Sequence, residues 1–161
     1  DTILVSVMMV NNETGAVMPI EKMIKAVRRC SPLALFHTDA VQGFGKIPFK
    51  AKTLGADLIS VSSHKIHGPK GAGALYISPR LKSFPALLLG GGQESGYRSG
   101  TEGTPAIFGF AAACTALSAT LKDDMAREKQ LRDAAIEELG ADYSEEEIRL
   151  VRIKFLCEMG N

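Results

Sequence analysis

Cysteine is scarce in this chain: Cys30, Cys114 and Cys157 are the only three among 161 residues. Their odd number, wide spacing and lack of any CxxC pair argue against a disulfide framework and against a cysteine-ligated zinc site. Each is expected to act as a small buried hydrophobe rather than a reactive thiol. Net charge is almost absent, +1 at pH 7, and no basic run interleaved with aromatics occurs. Neither nucleic acid nor an anionic membrane surface is therefore an expected partner. No apolar stretch reads as long enough to span a bilayer, and no charged-then-apolar leader opens the sequence, so no membrane association and a cytoplasmic location are expected. Internal repeats and low-complexity tracts are lacking too.

What is present is the profile of a globular domain, 45% hydrophobic and 23% charged, able to bury one core. The chain opens on Asp1 and runs at once into "TILVSVMMV", which reads like the middle of a fold and sets the expectation of a fragment.

The pattern along the chain predicts an α/β fold. Residues Thr2 to Val10 form an apolar, β-branched run, expected to be a parallel strand covered on both faces. Pro19 suits a helix start, and "IEKMIKAVRRC" spaces Ile20, Met23, Ile24 and Val27 at the helical period. "LALFHTDA" follows Pro32 as a second strand, completing a βαβ unit. A third strand, "DLISVSS", follows the loop-like "KTLGA". Only a short Gly- and Pro-rich stretch separates it from "AGALYIS", too little for a helical crossover. Those two strands should therefore pair antiparallel, giving one reversed strand in a mainly parallel sheet. After "LGGGQESGYRSGTEGTP", residues 106–139 predict a long helix, apolar almost all round at first and charged later. It is expected to begin packed against the body and to end in solvent or against another domain. The tail "IRLVRIKFL" reads as a strand.

In open α/β sheets, ligands bind beyond the carboxyl ends of the strands. There the chain sets Asn11 and Asn12, then Asp39 and Gln42, then Ser62, Ser63, His64 and Lys65, all expected to meet on one rim. Singly, each has an ordinary explanation as a turn, cap or solvated surface residue. Jointly they supply a carboxylate, an amine and several hydrogen-bond donors, the set a pyridoxal phosphate (PLP) enzyme needs. In such an enzyme an amine forms a Schiff base with the cofactor aldehyde and a carboxylate pairs with the protonated ring nitrogen, and Lys65 and Asp39 are expected to be that amine and that carboxylate. His64 and His67 lack a third metal ligand nearby. "GPKGAG" lacks the Lys-Ser/Thr of a Walker loop, and "RSGTEG" is no nucleophile elbow.

Four stretches, "VNNETGAVMPI", "HTDAVQGFGKIPF", "DLISVSSHKIHGPKGAGALYIS" and "GGGQESGYRSGTEGTPAIFGF", carry a resemblance to cysteine desulfurases of the NifS and IscS type, fold type I PLP enzymes of the class V aminotransferase group. The resemblance covers roughly residues 1–135. It implies Lys65 as the Schiff-base lysine, Asp39 as partner of the pyridine nitrogen, Gln42 as donor to the phenolate oxygen and Asn12 beside the ring. It further implies Ser62 and His64 on the phosphate, and Thr101 reaching the phosphate of a neighbouring subunit in a homodimer. Residues 1–105 would be part of the PLP-binding large domain, 106–140 a linking helix and 141–161 the start of a truncated small domain. The implied reaction takes sulfur from L-cysteine as an enzyme persulfide, leaves L-alanine, and passes sulfur to an acceptor protein for iron–sulfur clusters or other thio-cofactors. No loop matches the family's nucleophilic cysteine, so none of the three cysteines is given that role. Ser95 and Gly103 stand where the family often has Arg and Asn. Selenocysteine lyase, and a non-catalytic fragment or pseudoenzyme keeping the scaffold, are the alternatives.

Overall fold

The structure, a computed structural model, describes residues 2–140. Four strands, β1 (Leu4–Met8), β2 (Leu35–Asp39), β3 (Leu58–Ser62) and β4 (Gly73–Ile77), form one sheet in the order β1-β2-β3-β4. The first three run parallel and β4 is antiparallel to β3, as the short connection between them requires. Helix α1 (Ile20–Cys30) makes the βαβ crossover. The "KTLGA" stretch, read as loop, begins inside a single helical turn, α2 (Ala51–Leu54), closed by Gly55 at φ 85°. That turn is too short to show a helical period in sequence, and only glycine takes its left-handed cap without strain.

Alternation along the strands splits the sheet into two unlike faces. On one, Phe36 and Ile59 are buried against Ile20 and Ile24 of α1 and Leu54 of α2, forming the core. Thr38 is fully buried among them because its hydroxyl donates to the Val7 carbonyl at 2.9 Å. On the other face Leu4 and Leu75 are 49% and 46% exposed. The expectation that the first strand is covered on both faces is therefore corrected among the described residues. Nothing in the composition of a strand says whether a second layer is packed on it.

At the amino ends of the strands, the fully buried Asp57 ties three segments together. It accepts hydrogen bonds from Arg28 of α1, from the Phe36 N–H at 2.7 Å and from Arg80 at 2.7 Å. Arg28 and Arg80 also donate to the carbonyls of Ala34 and Pro32. Burial pushes the Asp57 carboxyl up, and its hydrogen bonds with the Arg28 charge outweigh that, holding it below the ordinary carboxylate value.

Helix α3 (Thr104–Gly140) starts two residues earlier than its sequence pattern suggests. Its apolar first half is less packed than expected, with Ile107 47% and Phe108 75% exposed. It touches the body along one narrow stripe. A methyl group on Gly109 would come within 2.9 Å of Pro69, Phe110 meets Phe44 edge-to-face at 6.1 Å, and Leu117 lies over Gly45. The helix also holds an 18-residue window of mean hydropathy 1.4, long and apolar enough by length and composition to cross a membrane. This corrects the reading that no stretch reaches that length. The window is built mostly from Ala, Gly, Thr and Ser around a few large residues, so it does not look like an apolar run. Cys30, expected to be buried, is exposed at the end of α1, whereas Cys114 is half-buried in α3. The predicted tail strand and Cys157 lie outside the described residues.

Candidate active site

The carboxyl ends of β1, β2 and β3 place the sequence-predicted residues as follows. After β1 the chain bends at Asn11, whose Oδ1 accepts from the Glu13 and Thr14 backbone N–H groups at 3.0 and 2.8 Å. Asn11 is thus a turn former, and Asn12 stands outside that cage, its Nδ2 donating to Glu13 at 2.9 Å. Asp39 is the last residue of β2 and is half-buried. Its Oδ1 accepts from the Val41 N–H at 2.9 Å, and Oδ2 has no hydrogen-bond partner among the described residues. Gln42 lies one turn on, its Oε1 accepting from Lys46 at 3.3 Å, which leaves the amide N–H groups as the donating end.

β3 ends at Ser62 and passes directly into a 3₁₀ turn, Ser63–Ile66. His67, at φ 65°, reverses the chain, and Gly73 opens β4 where a Cβ would sit 2.8 Å from the Val61 carbonyl oxygen. The glycines of this stretch thus let two antiparallel strands close over a tight turn. Within it the Ser62 hydroxyl and His64 Nδ1 lie 2.8 Å apart. Whichever of the two donates, one N–H or O–H of the pair is left pointing outward as a donor for an anion. Lys65 stands in the same turn and borders a groove of about 480 Å³ between the turn and α3, which also reaches Lys46, His67, Asp124 and Arg127. Asn12, Asp39, Gln42, Ser62 and His64 do not line that groove.

One expected member parts from the rim. Ser63 is fully buried, its hydroxyl without a hydrogen-bond partner and pressed under the turn against Gly68. Thr101 is exposed in the segment just before α3, and no hydrogen bond joins it to the other candidate residues. Among the described residues no group of three His, Cys, Asp or Glu side chains could hold a metal ion. Cys30 lies at the end of α1 beside the Arg28–Asp57 contact, at the opposite end of the sheet from Lys65. Burial raises the Cys114 thiol pKa, which disfavours a thiolate. Sequence reasoning passed over His37, although its position two residues before Asp39 marks it as lying on the same face of β2.

Residues 1–152 match the profile of the aminotransferase class-V family. The chain is 48% identical over 133 residues to "Cysteine desulfurase 2" of Trichormus variabilis, covering 83% of this chain and 32% of that relative. A solved "NIFS-LIKE PROTEIN" superposes with a TM-score of 0.80 at 42% identity, over 87% of this chain and 38% of the other. A structure described as "SspA in complex with cysteine" superposes with a TM-score of 0.65 at 42% identity, over 71% of this chain and 33% of the other. The chain thus spans about a third of the length of the curated relative it matches (32%). Four linked sequence stretches, a mixed sheet with one reversed strand and a lysine in the turn after β3 agree with that match, and the chain belongs to the aminotransferase class-V family.

Proposed function

We propose that this chain is the cofactor-binding part of a PLP-dependent cysteine desulfurase acting on L-cysteine. The observation that carries the reading is the placement of Lys65 in the turn that ends β3, next to the Ser62–His64 pair, while Asp39 ends the adjacent β2. This donor set fits PLP: an amine, a carboxylate with a free oxygen, and a hydroxyl–imidazole pair for the phosphate. When bound, PLP supplies an electron sink for negative charge developing at the substrate α-carbon.

Each residue has a task that its surroundings allow. Lys65 would hold the cofactor through its amine and, when that amine is free, would move a proton to and from the substrate. Asp39 keeps the ring nitrogen protonated through the oxygen that no protein donor occupies. Gln42 donates from the amide end that Lys46 leaves free, and Asn12 stands on the same side. Ser62 and His64 hold the phosphate with the outward donor of their pair. Thr101, which meets none of these residues within the chain, serves the partner subunit's phosphate in a homodimer. Neither Cys30 nor Cys114 is offered as the thiol that receives sulfur. In the complete protein a thiolate outside the described residues would attack the substrate sulfur and keep it as a persulfide, while the substrate C–S bond breaks and its β-carbon takes up a proton to leave L-alanine. The persulfide sulfur would pass to an acceptor protein for iron–sulfur cluster or thio-cofactor assembly.

The test is to add PLP, reduce with borohydride and map the modified lysine by mass spectrometry, with Lys65→Ala as control. The expected result is one adduct, on Lys65, lost in the variant. No adduct, or labelling spread over surface lysines, overturns the reading.

A further inference from the structure

One imidazole spans three strands on the open face of the sheet. His37 of β2 places Nδ1 2.7 Å from the Ser6 hydroxyl of β1 and Nε2 2.8 Å from the Ser60 hydroxyl of β3. Asp39, two residues on, projects from the same face, and its register partner on β3 is Ser60. Neighbouring strands lie about 4.8 Å apart, so the Ser60 side chain is the immediate lateral neighbour of the Asp39 carboxylate. A hydroxyl so placed would ordinarily donate to the carboxylate, since hydrogen bonds to an ionised acceptor are the stronger ones. Here the Ser60 oxygen is drawn diagonally to His37 instead, and Asp39 Oδ2 keeps no hydrogen-bond partner among the described residues.

A hydroxyl has one proton to give. When Ser60 gives it to Nε2, Nδ1 carries the ring proton and donates to Ser6. A carboxylate that accepts a further hydrogen bond holds a proton, or a protonated ring nitrogen, less strongly. We infer that His37 is a positioning residue, which takes the Ser60 proton away from Asp39 and so keeps one carboxylate oxygen open for the cofactor's ring nitrogen. The inference rests on the PLP reading above and gives His37, held by Ser60 and Ser6, a positioning role beside that site.

The test is a double-mutant cycle in the full-length protein, reading the PLP dissociation constant and the position of the visible absorption band, with a melting temperature for each variant. His37→Ala is expected to weaken PLP binding about tenfold, the worth of one hydrogen bond to a charged group, and to move the band. Ser60→Ala alone is expected to leave both within about twofold, since it removes the competitor as well as its restraint. His37→Ala combined with Ser60→Ala is expected to recover binding to within about threefold of wild type, because no hydroxyl remains to reach Asp39. His37→Phe, which keeps the ring volume, should repeat the loss if His37→Ala does not fold. A double variant as weak as His37→Ala, or a His37→Phe variant that binds like wild type, overturns the inference. Wild-type protein that takes up no PLP at Lys65 overturns the cofactor reading and this inference with it, whereas wild-type uptake without rescue overturns the inference alone.

Discussion

The two ends of the sheet each hold an aspartate, and the two are treated in opposite ways. At the amino end Asp57 is sealed from solvent and saturated by two arginines and a backbone N–H, so its charge is committed to joining α1, β2 and the segment after β4. At the carboxyl end Asp39 is half-buried and holds one backbone N–H, with an oxygen left open. Identical side chains thus become a structural rivet in one place and a poised group in the other, and the number of donors aimed at each decides which. The turn bearing Lys65 is held just as selectively, by one stripe of α3 rather than by burial on all sides.

The comparison breaks most sharply at Asp57. Asp57→Ala leaves two arginines and the Phe36 N–H without their common acceptor, and is expected to cost about 3 to 5 kcal/mol. Asp39→Ala should cost under about 1 kcal/mol while removing PLP uptake. Urea denaturation of both variants checks the contrast, and equal losses would erase it. Acid sharpens the same point. Because the Asp57 pKa is depressed on folding, its stabilisation is full above the unfolded-state value of about 3.9 and is lost as pH falls through the folded-state value. Unfolding midpoints measured from pH 6 downward should fall more steeply for the wild type than for Asp57→Asn.

At the carboxyl end the effects are smaller. Gly109→Val sets a branched side chain against the Pro69 ring, where even a Cβ would come within 2.9 Å. It is expected to destabilise by about 1 to 3 kcal/mol and to weaken labelling of Lys65, because α3 is levered off the site turn. Ser63→Ala removes a buried hydroxyl with no partner and is expected to raise stability by about 1 kcal/mol, leaving Lys65 labelling unchanged. A fall in melting temperature for Ser63→Ala would show that this hydroxyl is satisfied after all.

Legibility from sequence followed the range of the interaction concerned. The βαβ unit was readable because the apolar spacing of Ile20, Met23, Ile24 and Val27 is a local signal, and so was the reversal of β4, because chain length between strands limits their pairing. The positions of Asp39, Ser62, His64 and Lys65 at strand ends followed from the same local boundaries. The orientation of Ser63 away from its neighbours did not, because it depends on what the 3₁₀ turn packs against. Nor did the exposure of Cys30, Ile107 and Phe108, since an apolar helix reads the same whether or not another layer covers it.

Sequence periodicity and chain length thus settled the order of elements and which residues stand at the strand ends, for those are set by nearest neighbours along the chain. Only the tertiary structure decided which aspartate is saturated and which is open. Arg28 and Arg80 reach Asp57 across 29 and 23 residues, and His37 reaches Ser6 and Ser60 across 31 and 23. Contacts between side chains so far apart depend on strand register and helix docking, which no local pattern encodes.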